Sequence, residues 1–132
     1  NALRMVEMPD VNNFPWDGRF PKDWDFLLGM LEKELSAAIG DVPEPLVVIH
    51  VEDNELDAEF VQLALQPGRW IIVRVESHDE ADSAIKRGDF GRAHCALLDI
   101  MLPHGKEGES LAYKIRERHP NLRIFMLSNK AA

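Results

Sequence analysis

Val47-Val48-Ile49-His50-Val51-Glu52-Asp53 is the stretch on which the reading of this chain turns. Its first five residues are mostly β-branched and of strand length, and the run breaks off on two carboxylates. Asn54 follows as a helix cap, and the spacing predicts a helix over 55–66 with Leu56, Phe60, Leu63 and Ala64 on one face. Pro67-Gly68 stops it. Trp70 to Val75 reads as a second strand, and Ser77 with Glu80 makes a capping-box pattern for a short helix ending near Gly88. Cys95 to Ile100 reads as a third strand, apolar up to Asp99 as a buried parallel strand is. A loop containing Pro103, Gly105 and Gly108 leads to a helix over 109–119. Pro120-Asn121 then turns the chain into a fourth strand, Arg123 to Leu127, ending at Ser128.

Strand and helix alternating at this spacing predict an α/β fold with a parallel, doubly wound sheet. Ligands of such sheets sit beyond the carboxyl ends of the strands. Those ends carry Glu52, Asp53, Asp99 and Ser128. Three carboxylates at one edge repel one another unless a cation neutralises them, and a hard, oxygen-seeking ion such as Mg2+ suits that donor set. An aspartate there can also act as a nucleophile toward a phosphoryl group, with Ser128 hydrogen-bonding the transferred oxygens. The plainer reading is that acidic residues simply punctuate strand ends in an acidic protein.

The composition sets the outer bounds. Of 132 residues, 45% are apolar and 29% charged, which fits a single globular domain and disfavours disorder. Fifteen basic against twenty-three acidic residues leave a net charge of -8, which disfavours binding to nucleic acid or anionic membranes. No apolar run approaches the roughly 20 residues of a membrane span, and no signal-peptide pattern opens the chain, so the expected location is cytoplasmic. Cys95 is the one cysteine, so neither an internal disulfide nor a multi-cysteine zinc site is expected. The five histidines, at 50, 78, 94, 104 and 119, read as structural or solvated. Trp16, Trp24 and Trp70 read as core or interface anchors.

Three motifs, taken in order, carry a resemblance over residues 46–130. Val-Ile-His-Val-Glu52-Asp53-Asn54-Glu55, Leu-Leu-Asp99-Ile-Met101-Leu-Pro103 and Phe-Met-Leu-Ser128-Asn-Lys-Ala are similar to the receiver domain of bacterial response regulators. The resemblance implies a flavodoxin-like sheet of five strands in the order 2-1-3-4-5. It implies that Asp99 takes a phosphoryl group from a histidine kinase or histidine phosphotransfer protein. It also implies that Glu52, Asp53 and Asp99 hold Mg2+ with the backbone carbonyl of Met101, and that Ser128 contacts the phosphoryl group. Such a domain catalyses its own phosphorylation and dephosphorylation and is not a turnover enzyme.

A receiver also has a fifth strand ending in a lysine, followed by a last helix. Gly18-Arg19-Phe20-Pro21-Lys22-Asp23-Trp24-Asp25-Phe26 resembles the end of that strand, which would make Lys22 the lysine. In the helix that follows, Leu27, Leu31, Leu35 and Ala38 share one face. The expectation is one circularly permuted domain, residues 1–132. Residues 1–40 supply the fifth strand and last helix, 41–46 a linker, and 47–132 strands one to four. A helix over 24–39 is about 24 Å long, and Gly40 to Pro45 reaches at most about 20 Å against the roughly 14 Å of three strand spacings. The rivals are the tail of a preceding receiver and a dimer exchanging these segments. Arg19 stands where receivers often carry an aromatic switch, Asn129 replaces a small residue, and the loop after Asp99 is one residue longer than usual. These departures support an alternative, a pseudo-receiver that binds protein partners independently of phosphate.

Overall fold

The computed structural model describes residues 14–99 and 107–128. The chain runs β1 (Gly18–Pro21), α1 (Trp24–Ile39), β2 (Leu46–Val51), α2 (Glu55–Ala64), β3 (Trp70–Val75), α3 (His78–Arg87), a 3-10 turn (Asp89–Arg92), β4 (Cys95–Asp99), α4 (Glu107–Arg118) and β5 (Arg123–Ser128). All five strands are parallel and lie in the order β1-β5-β4-β2-β3. The first strand of the chain therefore sits at one edge beside the last, and β3 forms the other edge. Numbered from β2 and ending on β1, this is the expected order 2-1-3-4-5.

Caps set the helix starts. The Asp23 carboxylate accepts from the Asp25 amide at 2.9 Å and opens α1, and the Asn54 side chain accepts from the Asp57 amide at 3.0 Å and opens α2. At α3 the Ser77 hydroxyl accepts from the Glu80 amide at 3.1 Å. The Glu80 carboxylate reaches back to the Glu76 amide at 2.9 Å, one residue earlier than a capping box reaches. Gly88 ends α3 at φ 84°, left-handed backbone that a glycine enters without a Cβ clash.

The sheet separates two apolar layers. Leu27, Leu31 and Leu35 of α1, with Val61 of α2 and Leu65, pack on Val48, Leu97, Phe125 and Leu127. On the other face Ala81 and Ile85 of α3 and Leu111 and Ile115 of α4 pack on Ile49, Ala96, Leu98 and Ile124. The central strands β4 and β5 are buried on both faces apart from Arg123, which accounts for their continuous apolar runs. Because α1 and α2 share one face, the crossover from β1 to β2 and that from β2 to β3 cover the same side of the sheet. At the edge, Phe20 stacks on Phe125 with ring centroids 4.8 Å apart, tying β1 to β5.

The predicted face of α2 is recovered only in part: Ala64 packs half-buried against the layer shared with α1, but the two leucines turn outward. Leu56 and Leu63 are 66% and 73% exposed, while the buried residues are Ala58, Val61 and Leu65. Two residues turn a helix by about 200°, so a stripe two positions out of phase looks away from the sheet. Phe60 lies between these faces and stacks on Trp24 at 4.1 Å, which fastens α2 to α1. The helix also ends at Ala64, not at 66.

Candidate functional site

Register assembles the site. Val51 pairs with Leu98, Leu98 with Met126, Asp99 with Leu127, and Pro21 with Ser128. The next residue on β2 is Glu52, and the next after β1 is Lys22, whose backbone amide donates to the Ser128 carbonyl at 2.9 Å. Four neighbouring strands thus deliver Glu52, Asp99, Ser128 and Lys22 to one edge. Each sequence-expected site residue within the described part of the chain is found there. Met101, Pro103 and Asn129 lie outside the described residues.

Glu52, Asp53 and Asp99 each present an oxygen within 4.8 Å of the others. Glu52 is 1% exposed and Asp99 6%, whereas Asp53 is open to solvent. A cavity of about 210 Å³ opens over these groups, walled on its far side by Glu76, Ser77, His78 and Leu111. Oxygen-only donors, partly buried and clustered with an open side, fit a hard divalent cation that keeps some of its water.

Lys22 already brings a cation to this cluster. Its Nζ lies 2.9 Å from Glu52 Oε1, 3.0 Å from Asp99 Oδ2 and 2.9 Å from Asp57 Oδ2, with the lysine side chain 4% exposed. Burial alone lowers a lysine's pKa. Here hydrogen bonds to Asp57 and Glu52 and the charge of Asp99 outweigh it and hold Lys22 above the ordinary lysine range. Glu52 is also raised, which for a carboxyl favours the neutral form. Burial first, then its hydrogen bond to Asp99, push it up to about 8 against the pull of Lys22. One ammonium cannot neutralise several carboxylates, so its pull on Glu52 does not offset burial and the neighbouring acid.

Asp57 is the functional neighbour that sequence reasoning missed. It lies in the first turn of α2, three residues after the Asn54 cap, and points back across the strand ends to Lys22. The available signal was an acid so soon after Glu52-Asp53, on a helix whose start was already legible.

His50 lies below the site, wholly buried, with Nε2 3.7 Å from Glu52 Oε1 and neither ring nitrogen hydrogen-bonded among the described residues. Burial, helped by the Lys22 charge, pulls it down to about 4. The unfolded chain, with a histidine near 6.5, therefore takes up this proton first as pH falls, and stability drains away between about pH 6.5 and 4. The full shift corresponds to about 3 kcal/mol. His50→Leu is expected to gain about 1–3 kcal/mol at pH 7, by removing unpartnered polar atoms, and to lose less on acidification. Urea unfolding at pH 7 and pH 5 checks both; an unchanged acid loss in the variant would remove His50 as its source.

A parallel α/β sheet with an acid cluster at its strand ends and a lysine across it defines a class, and the chain belongs to it: residues 48–132 match the response regulator receiver domain family. This is a two-component signalling family, not one of metabolic enzymes. Among individual proteins, the chain is 32% identical over 89 residues to the Probable transcriptional regulatory protein TcrX of Mycobacterium tuberculosis (strain ATCC 25618 / H37Rv). That alignment takes in 67% of this chain but 36% of the relative, so the chain spans little more than a third of it. No solved structure matches the chain with significance. No helix among the described residues is long and apolar enough to cross a membrane.

Proposed function

We propose that the chain is a phosphoacceptor receiver in which Asp99 takes a phosphoryl group from a histidine kinase or histidine phosphotransfer protein. A single observation carries this reading: Asp99 sits at a carboxyl strand end between the Glu52–Asp53 pair and the Lys22 ammonium. An Asp99 oxygen attacks the donor's phosphorus; the new P–O bond forms as the P–N bond of the phosphohistidine breaks, and the electron pair leaves on the imidazole. Glu52, Asp53 and Asp99 are the residues that would hold Mg2+, with the Met101 carbonyl as the family resemblance implies. Bound there, Mg2+ supplies charge neutralisation for the arriving phosphoryl oxygens. Lys22 pairs with one of those oxygens, and the hydroxyl of Ser128, which is buried at the end of β5, donates to another. Output passes to a partner protein through the surface this switch alters.

The same reading treats residues 1–132 as one domain whose fifth strand and last helix come first in the chain. The pairing of β1 with β5 and the contact of Lys22 with Asp99 support it. The lysine-filled acid cluster lends some support to a phosphate-independent pseudo-receiver, because its charges are partly balanced without a metal. Fluoroberyllate, a phosphoryl mimic, separates the two. It is expected to bind at millimolar Mg2+ and to lose at least about 100-fold in affinity in Asp99→Asn. Absence of Mg2+-dependent binding, or equal binding by the variant, would favour the pseudo-receiver.

A further inference from the structure

Lys22 has three N–H donors and three carboxylate neighbours: Glu52 at 2.9 Å, Asp99 at 3.0 Å and Asp57 at 2.9 Å. Two of these, Glu52 and Asp99, belong to the group that would hold the divalent cation. Asp57 does not. It is fixed on α2, whose first turn is pinned by the Asn54 cap and whose body is locked to α1 by the Trp24–Phe60 stack. Since Trp24 lies two residues from Lys22, α1 and α2 hold the lysine and Asp57 against each other from both ends of the contact. A cation drawn onto Glu52 and Asp99 weakens two of the three lysine contacts together and leaves the third intact.

We infer that Asp57 is a positioning residue for Lys22: a carboxylate outside the cation-binding group that keeps the ammonium beside Asp99 once Glu52 and Asp99 are drawn to the metal, so that the lysine stays directed at the phosphoryl oxygens. This deepens the phosphoacceptor reading and rests on it. Without Asp57 the lysine would have to leave its buried position or compete with the cation for the same two oxygens. With Asp57, one donor remains on its anchor and the other two are free to turn to the phosphoryl group. The side chain has no part in the helix cap, which uses the Asp57 backbone amide, so its removal leaves the start of α2 in place.

The test is calorimetric titration of fluoroberyllate at saturating Mg2+ into the wild-type chain, Asp57→Ala, Asp57→Asn, Lys22→Met and the Lys22→Met/Asp57→Ala double variant. Mg2+ affinity is measured separately, and circular dichroism verifies the fold of each. Asp57→Ala is expected to weaken fluoroberyllate binding about tenfold, and Asp57→Asn, which keeps an acceptor but not the charge, about threefold. Affinity for Mg2+ alone is expected to change less than about threefold. In the Lys22→Met background, removing Asp57 is expected to change fluoroberyllate binding by less than about twofold. A purely structural role for Asp57 would reduce binding equally in both backgrounds, and that result overturns the inference. Tighter binding by Asp57→Ala also overturns it, since Asp57 would then be a competitor of the phosphoryl group and not the lysine's anchor. Wild-type binding with an unaffected Asp57→Ala variant defeats this inference alone. Absence of wild-type binding defeats the phosphoacceptor reading and this inference with it.

Discussion

Lys22→Met is expected to destabilise the protein by about 3–5 kcal/mol at pH 8 and by much less at pH 5. Methionine matches the length of the lysine stem, so the loss is of charge more than of packing. The ammonium lies within 3.0 Å of Glu52, Asp57 and Asp99 and is almost wholly buried. Removing it leaves carboxylates facing one another in a region poor in water. Lys22 itself stays charged in both states throughout this pH range, because its folded pKa lies above the usual lysine value. The pH slope therefore comes from Glu52. Glu52 has a folded pKa of about 8 against an ordinary 4.5, so the folded state binds its proton the more tightly between those values. Its contribution is fully present below about pH 4.5 and is lost as pH rises through about 8. Without the ammonium, Glu52 loses the pull that lowers its pKa and holds its proton more tightly still, so the pH dependence extends above pH 8. Millimolar Mg2+ is expected to return much of the lost stability at pH 8, because a divalent ion can do the lysine's neutralising work. Urea unfolding of both proteins at pH 5 and pH 8, with and without Mg2+, measures all four quantities. A loss independent of pH and Mg2+ would mean that Lys22 serves packing alone.

That lysine shows how far the site could be read in advance. Lys22 is an unremarkable residue in its own segment; it was named from the resemblance of Gly18 to Phe26 to a receiver's closing strand, and its contacts follow from β1 lying beside β5. Glu52, Asp53, Asp99 and Ser128 were legible because each ends an apolar run, and parallel strands bring such ends to one edge. Asp57 was not, because nothing within α2 says which group stands opposite it. His50 was expected to be structural or solvated; it is wholly buried, and its position against Glu52 depends on the pleat of β2. The outward turn of Leu56 and Leu63 has a related cause. An apolar stripe at helical spacing identifies a helix, yet the phase is set by the cap and by contact with α1. There, small Ala58 and Val61 allow close approach, while Leu56 and Leu63 remain outside. Local chemistry was therefore legible, and contacts between elements distant in sequence were not.

Removal of residues 1–40 is expected to abolish cooperative unfolding of the remaining chain. The deleted part includes β1, α1 and Lys22. It takes Phe20, Leu27, Leu31 and Leu35 from the layer that covers Val48, Leu97, Phe125 and Leu127. At about 1.5–3 kcal/mol for each buried side chain, these four represent about 6–12 kcal/mol, comparable with the whole stability of a typical domain. The deletion also bares the length of β5 as a sheet edge and leaves Glu52 and Asp99 without their ammonium. The shortened chain should therefore show a broad, shallow urea transition and expose apolar surface to a hydrophobic dye. A synthetic peptide of residues 14–40, added in excess, should restore a sharp transition and a one-to-one complex by analytical ultracentrifugation, because β1 and α1 contribute a continuous surface to one layer. The 132-residue chain should sediment as a monomer, since Gly40 to Pro45 is long enough for α1 to return within one chain. A dimer whose subunits exchange residues 14–40 would make the same contacts between chains, and sedimentation at twice the monomer mass would identify it. Cooperative unfolding of the shortened chain with unchanged stability would be decisive the other way: the layer built on Leu27, Leu31 and Leu35 would then contribute nothing to folding, and the sheet would have to close without β1.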